Sequence, residues 1–538
     1  MKPKNLFWTV SVLLAGSCSA SDGSQTPIPV QAPSEIAVVH SDQATVTVSW
    51  RDNSDSEIGF SVWMKYDDAS PAERVGFTGP DTEHYALAAE RFEPGRSCLL
   101  GVRADGRTEA ESSETVYAPP FTPDGPAAPG IAFIGEPVAT ASCIALRYSP
   151  GELPAGAVCG ICWSTGSTPT VDGEHQDGPA AGEKTEILQV IPNVLLDYGT
   201  TYRFRAYVRT GGTVSYSAEC SAALADAPEP IVLNWTKLDT ESLPSSISVH
   251  ETTDRLNGRN FHAWYAVADL SKGDVEVRVH IPDNLATIDD QAASFDGACC
   301  IMTNGGYFYN TSHVGLAYVD SRAVGYVPQV QGSLRDDEEN EILYNVTRGI
   351  FGVDASGAPA VLWAGTANSV HRFFDRPLPS VKGEAKYGPV SAGFPAPERA
   401  WSPVYAIGAG PVLLKEGKCP FDFTLTDKGT EYYLSNYEII PYDIFGPTVK
   451  PDRTAVGRTA DGKVILFVCD GRIAASDGAT LTELAMILKG LGCVEAINLD
   501  GGGSSGMMVG ERHVNDLTGG NRKVKSTIGF FKKQTRKP

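Results

Sequence analysis

Asp500 closes an apolar run and is followed by three glycines and two serines, in the stretch AINLDGGGSSGMMV from Ala496 to Val509. Ala496 to Leu499 reads as a buried strand with Asp500 at its end. Gly501, Gly502 and Gly503 contribute no packing. Such residues serve where the backbone takes a positive φ or comes close to something else. Ser504 and Ser505 add hydroxyls beside the exposed N–H groups. The plain alternative is a strand-to-strand turn with an Asx-type hydrogen bond from Asp500. Arg453, which opens the strand-like run RTAVG, is the matching cation. Its planar fork fits phosphate or carboxylate oxygens, and a glycine-rich turn supplies N–H donors to the same oxygens. A nearby aspartate can serve as general acid, general base or nucleophile. Arg453 with Asp500 therefore suits a substrate that is both anionic and hydrolysable, or else forms a structural ion pair.

Four stretches place glycines and polar residues at the end of an apolar run: IMTNGGYFYN (301–310), AIGAGPVLL (406–414), DRTAVGRTADGKVILFVCDGR (452–472) and the Asp500 stretch. Four such ends within about two hundred residues point to strand termini converging on a cleft partly lined by backbone N–H groups. A helix, TLTELAMILKGL from Thr480 to Leu491, lies between the last two, with Thr480 and Glu483 in a capping-box pattern.

The rest of the chain must carry this region. At 538 residues it is too long for one core, and about three domains are expected. A formal charge of −21 and a pI near 4.9 make nucleic acid an unsuitable partner. Lys2 and Lys4 precede a short apolar stretch ending in Ala15-Gly16-Ser17-Cys18, which resembles a bacterial lipoprotein signal. Cys18 is then the lipidated residue, 19–33 a tether, and the protein lipid-anchored at the cell envelope, on the outer membrane or cell surface. Residues 34–120 and 129–226 alternate apolar and polar in short runs, the pattern of β-sandwiches. VSWRDNSDSEIGFSVW and YGTTYRFRAYVRTGG resemble fibronectin type III sequences, with a proline-rich linker between the modules. They read as spacers. From 231 to 538 strands predominate, giving an α+β domain with a mostly β core, expected to fold and act alone. Cys159 and Cys162, in AVCGICWS, face opposite sides of a strand and read as buried residues rather than a metal pair.

The third and fourth stretches, with the helix between, resemble the phosphodiester glycosidase family. Its pattern is carried by Arg453-Thr454-Ala455-Val456-Gly457, Cys469-Asp470-Gly471, Glu483-Leu484-Ala485 and Ala496 to Ser504, in matching order and spacing. Upstream, Asn304-Gly305-Gly306-Tyr307-Phe308 and Gly408-Ala409-Gly410-Pro411 resemble further family motifs, as does Arg522-Lys523-Val524 downstream. The acidic run RDDEENE and its flanking loops do not align. The resemblance implies hydrolysis of a sugar-1-phosphodiester, such as an N-acetylglucosamine-1-phospho-linked glycan. Water attacks either the anomeric carbon or phosphorus, and the family favours the first.

The resemblance also implies roles. Asp500 and Asp470 form a glycosidase-like carboxylate pair, and Arg453 and Arg522 hold phosphate. Asn304, Gly306, Gly410, Thr454, Gly501, Gly502, Gly503, Ser504 and Ser505 contact substrate. No cofactor is implied, and dependence on a divalent metal stays open. The rival readings are a non-catalytic surface glycan-binding lipoprotein and a polysaccharide-assembly protein.

Overall fold

The computed structural model describes residues 29–533 except 43–44, 67–69, 89–90, 93–96, 122–129, 152, 154–155, 179–185, 241, 328–342, 346, 368–369, 379–380, 384–398, 422–431, 434–437, 439 and 442–444. Cys18, the signal, most of the tether, the centre of the proline-rich linker and RDDEENE lie outside the described residues.

The chain divides into two compact units, 1–128 and 129–538. In the first, strands Ser34–Asp42, Thr45–Arg51 and His84–Ala88 form one sheet. Glu73–Thr78, Gly59–Lys65, Leu99–Asp105 and Val116–Tyr117 form the other. This three-plus-four antiparallel order is that of a fibronectin type III sandwich. Alternate residues of Thr45–Arg51 point inward, so Val46, Val48 and Trp50 meet Phe60, Val62 and Leu100 between the sheets.

The second unit opens with another sandwich. Its larger sheet centres on Val158–Ser164 paired with Thr201–Thr210. Cys159 and Cys162 are both buried thiols on that strand. This sandwich is no detached spacer. Asn193 is fully buried and donates from Nδ2 to Cys419 O at 2.7 Å. Lys418 Nζ donates to Leu196 O at 2.8 Å. The turn it grips directly follows the strand Val412–Leu414, and the second sandwich and 231–538 lie within one compact unit.

Among the described residues, three antiparallel sheets of five to seven strands dominate the remainder. The largest runs in the order Thr236–Lys237, Ile247–Thr252, Ala263–Ala268, Val464–Cys469, Arg453–Thr459, Cys493–Asn498, Val412–Leu414. A five-stranded sheet contains Cys299–Asn304 between Thr527–Lys532 and Met507–Val509. A six-stranded sheet contains Pro403–Gly408 and Arg348–Asp354. VILFVC is apolar throughout because both faces of its strand are covered. Val464, Leu466 and Val468 face the core shared with the other sheets, whereas Ile465, Phe467 and Cys469 face the helix Leu481–Gly490. That helix starts where its sequence says. Thr480 Oγ1 accepts from Glu483 N at 3.1 Å, and Glu483 Oε2 accepts from Thr480 N at 2.9 Å.

Candidate active site

Strand ends from three of the four glycine-bounded stretches meet at one cavity, and the 452–472 stretch adds no lining residue. Gly408 to Pro411, Tyr307, Arg348, Phe445 and Asp500 line a cavity of about 380 Å³, with Val314, Leu316, Val327, Ile350 and Ala364 as its apolar wall. Asp500 is held by its backbone. Its N–H donates to Gly305 O at 3.0 Å, and its carbonyl accepts from Asn304 Nδ2 at 2.6 Å. Its Oδ1 accepts from Gly501 N at 2.9 Å. Burial pushes its carboxyl up to about 6, against the opposing pull of the Ser504 hydroxyl, the Gly501 N–H and the Arg522 charge. A carboxyl titrating there is ionised at neutral pH yet basic enough to take a proton from water.

The glycine turn beside it is open on one side to two arginines. Gly502 sits at φ 59°, and a Cβ there would come 3.0 Å from Arg472 Nη2. A Cβ on Gly503 would come 3.1 Å from the Arg522 guanidinium carbon. Beneath the turn, buried Asp452 accepts from Arg472 Nη2 at 3.1 Å and from the Thr518 hydroxyl, while its carbonyl accepts from Gly502 N at 2.9 Å. The left-handed φ favours glycine at 502, and a side chain at 502 or 503 would have to push an arginine aside.

Several residues expected to contact substrate instead build this turn. Asn304 is buried, and its Oδ1 accepts from Thr454 Oγ1 at 2.7 Å and from Gly506 N at 3.2 Å. Thr454 Oγ1 also lies 3.1 Å from Ser505 Oγ. Both amide ends of Asn304 are thus engaged within the protein, and the network of Asn304, Thr454 and Ser505 fixes the loop from inside. Ser504 is buried against Asp500. Gly306 is a packing position, since a Cβ there would strike Gly408 O at 2.5 Å. Gly410 does line the cavity. Its carbonyl accepts from Tyr307 OH at 2.6 Å, and Asn498 Nδ2 donates to that same phenol at 2.8 Å.

Asp470 and Arg453 require correction. Asp470 is fully buried and does not line the Asp500 cavity. Its Oδ1 accepts from Asn515 Nδ2 at 3.3 Å and from Asp516 N at 3.1 Å. Its Oδ2 lies 3.9 Å from His262 Nδ1. Burial pushes it up to about 6. Asn515 Nδ2 also donates to Ser505 O at 3.3 Å, so Asp470 supports the far end of the glycine turn.

Arg453 is 2% exposed and forms no ion pair with Asp500. Nε donates to Ala479 O and Nη2 to Val449 O, both at 3.0 Å. Its guanidinium lies 5.8 Å from the centre of the Phe445 ring, which lines the cavity, so Arg453 braces the wall from behind. Burial brings its pKa down to about 10. Arg453→Lys should therefore cost about 2–4 kcal/mol of stability, because a single ammonium lacks the planar fork that reaches the two carbonyls from separate nitrogens. Thermal unfolding checks this. A large rise in KM with unchanged Tm would instead mark Arg453 as a phosphate ligand.

Sequence reading passed over Arg348 and Glu438. Arg348 lines the cavity at the start of its strand. Glu438 is fully buried behind Gly410, where a Cβ would meet its Oε2 at 2.5 Å. Its Oε1 accepts from Trp363 Nε1 at 2.8 Å and Val412 N at 3.0 Å. Burial raises it to about 7, opposed by the Arg348 charge. Arg348 had a legible signal, an arginine directly before the apolar run GIFGV. Glu438 had none.

Residues 298–531 match the family profile described as phosphodiester glycosidase. Over 81 residues the chain is 36% identical to the SPbeta prophage-derived uncharacterized protein YomE of Bacillus subtilis (strain 168), covering 15% of this chain and 13% of that protein. Over 53 residues it is 49% identical to the N-acetylglucosamine-1-phosphodiester alpha-N-acetylglucosaminidase of Mus musculus, covering 10% of each chain. The zebrafish catalytic domain of that enzyme, auto-inhibited by its pro-peptide, aligns with 18% identity and a TM-score of 0.35, over 56% of this chain and 89% of that one. The chain thus spans only a small part of the length of these two curated relatives. Asp500, its glycine turn and the cavity all fall within the matched segment, and residues 298–531 are a domain of the phosphodiester glycosidase family.

Proposed function

We propose that this domain hydrolyses a sugar-1-phosphodiester. The observation that supports the reading best is the position of Asp500, at the border between a sugar-sized cavity and a glycine turn overlaid by Arg472 and Arg522. The sugar occupies the cavity. The phosphodiester lies over the turn, where the two guanidinium groups meet its oxygens. Asp500 takes a proton from water as that water bonds to the anomeric carbon. The bond from that carbon to the phosphate oxygen breaks, and the phosphomonoester departs with the electron pair. A phosphomonoester leaves readily without protonation, so one carboxylate suffices. Attack at carbon rather than phosphorus rests on the family resemblance.

N-acetylglucosamine is the first sugar to test, because the apolar wall of Val314, Leu316 and Ile350 suits an acetamido methyl. Screening the full chain against UDP-sugars and sugar-1-phosphodiesters tests the reading. Release of a reducing sugar supports it, whereas retention without release favours a glycan-binding protein.

We place the enzyme at the cell envelope through lipidated Cys18. Among the described residues no helix is long and apolar enough to cross a membrane. A single acyl chain binds membranes only marginally, so stable anchoring needs more than one. Cys18→Ala should move the protein out of the membrane fraction. Unchanged fractionation would refute the anchor.

A further inference from the structure

The first sandwich carries a carboxylate cluster with no part in the chemistry above. Asp52 follows the strand Thr45–Arg51, Glu57 precedes Gly59–Lys65, and Asp81 lies between Glu73–Thr78 and His84–Ala88. Two separate connections, the first supplying Asp52 and Glu57 and the second Asp81, thus bring one carboxylate oxygen from each residue to within 4.8 Å of one another. Glu57 is 8% exposed. Its Oε1 accepts from Asp81 N at 3.3 Å, but its buried Oε2 has no hydrogen-bond partner. An orphaned carboxylate oxygen in such a place is costly unless something cationic meets it. Asp52 Oδ1 accepts from Ser54 N at 2.9 Å, and its N–H donates to Glu83 Oε1 at 3.1 Å, which brings a fourth carboxylate close. No described lysine, arginine or histidine forms an ion pair with any of the three.

We propose that Asp52, Glu57 and Asp81 bind a calcium ion that ties these two connections together. The donors are all hard oxygens, with no imidazole or thiolate, which selects calcium or magnesium over zinc and copper. One ion at 2.3–2.6 Å from each oxygen spans a cluster of this width, whereas magnesium demands about 2.0–2.1 Å and near-octahedral order. Asp81 is exposed and gives the ion a path from solvent.

The test is calorimetric titration of CaCl2 into the full chain after stripping with EDTA, with MgCl2 in parallel. The expected result is one calcium site with Kd of about 10⁻⁴–10⁻³ M, the range of extracellular modules, and weaker magnesium binding. Glu57→Gln, which keeps shape and removes the charge, should weaken calcium at least tenfold. Asp81→Asn, at an exposed position that leaves folding intact, should do the same. No calcium heat from the wild-type chain, equal magnesium affinity, or unchanged binding in Asp81→Asn would overturn the proposal.

Discussion

Asp500→Asn should lower kcat about 10²–10⁴-fold, the usual contribution of a positioned acid or base, with KM little changed and no loss of thermal stability. The folded Asp500 carboxyl titrates near 6 and its ordinary value is 3.8. The folded state therefore holds this proton more tightly than the unfolded state. The stabilisation from that proton is fully present below pH 3.8 and lost as pH rises through 6. At pH 8 the wild-type protein carries a buried charge that costs roughly 1–3 kcal/mol. Asparagine removes that charge and keeps the oxygen that accepts from Gly501 N. Its Tm at pH 8 should match or exceed that of the wild type. Wild-type kcat/KM should fall as pH drops through about 6, because the base becomes protonated. A variant inactive only because it has unfolded would make Asp500 a structural residue.

Glu495→Ala should cost about 3–5 kcal/mol, the penalty for breaking a buried ion pair from one side. Glu495 and Lys415 are almost wholly buried and 3.0 Å apart. Glu495 Oε2 also accepts from Arg458 Nε at 2.7 Å and from Val361 N at 2.9 Å, and Lys415 Nζ donates to Val361 O at 2.7 Å. The cluster joins the seven-stranded sheet to the six-stranded one behind the cavity. Burial alone would raise the Glu495 carboxyl, but Arg458 and Lys415 outweigh it and hold it below the ordinary value. Its contribution is therefore present above the unfolded pKa of about 4.5 and lost as pH falls through the folded value. Denaturant unfolding at pH 7 measures the loss. Lys415→Met combined with Glu495→Met should recover only part of it, because Val361 N–H keeps no acceptor. A cost below about 1 kcal/mol for Glu495→Ala would show the cluster to be no stronger than a surface pair.

Much of the architecture was legible because it is local. The helix cap Thr480–Glu483 is written within four residues, and VILFVC states its double burial outright. The convergence of glycine-bounded strand ends was legible from short stretches, three of which reach the cavity. Roles were harder, because a side chain's partner is set by distant sequence. Arg453 reads as a phosphate clamp until Val449 and Ala479 present their carbonyls to it. Asn304 and Thr454 lie 150 positions apart and satisfy one another. Asp470 and Asp500 end similar strand motifs, yet only Asp500 opens on the cavity. Glu438 meets Trp363 across 75 positions from a segment without periodicity, so nothing local announces it.

If the Asp500 cavity cleaves the bond between the anomeric carbon and the phosphate oxygen, the oxygen of the attacking water ends on the sugar. Incubating the full chain with a methyl phosphodiester of N-acetylglucosamine 1-phosphate in heavy-oxygen water, followed by mass spectrometry of both products, tests it most directly. The expected products are free sugar carrying the heavy oxygen and an unlabelled methyl phosphate, with neither released by Asp500→Asn. Heavy oxygen on the phosphate, or tight binding by the wild-type protein without release of sugar, would contradict it.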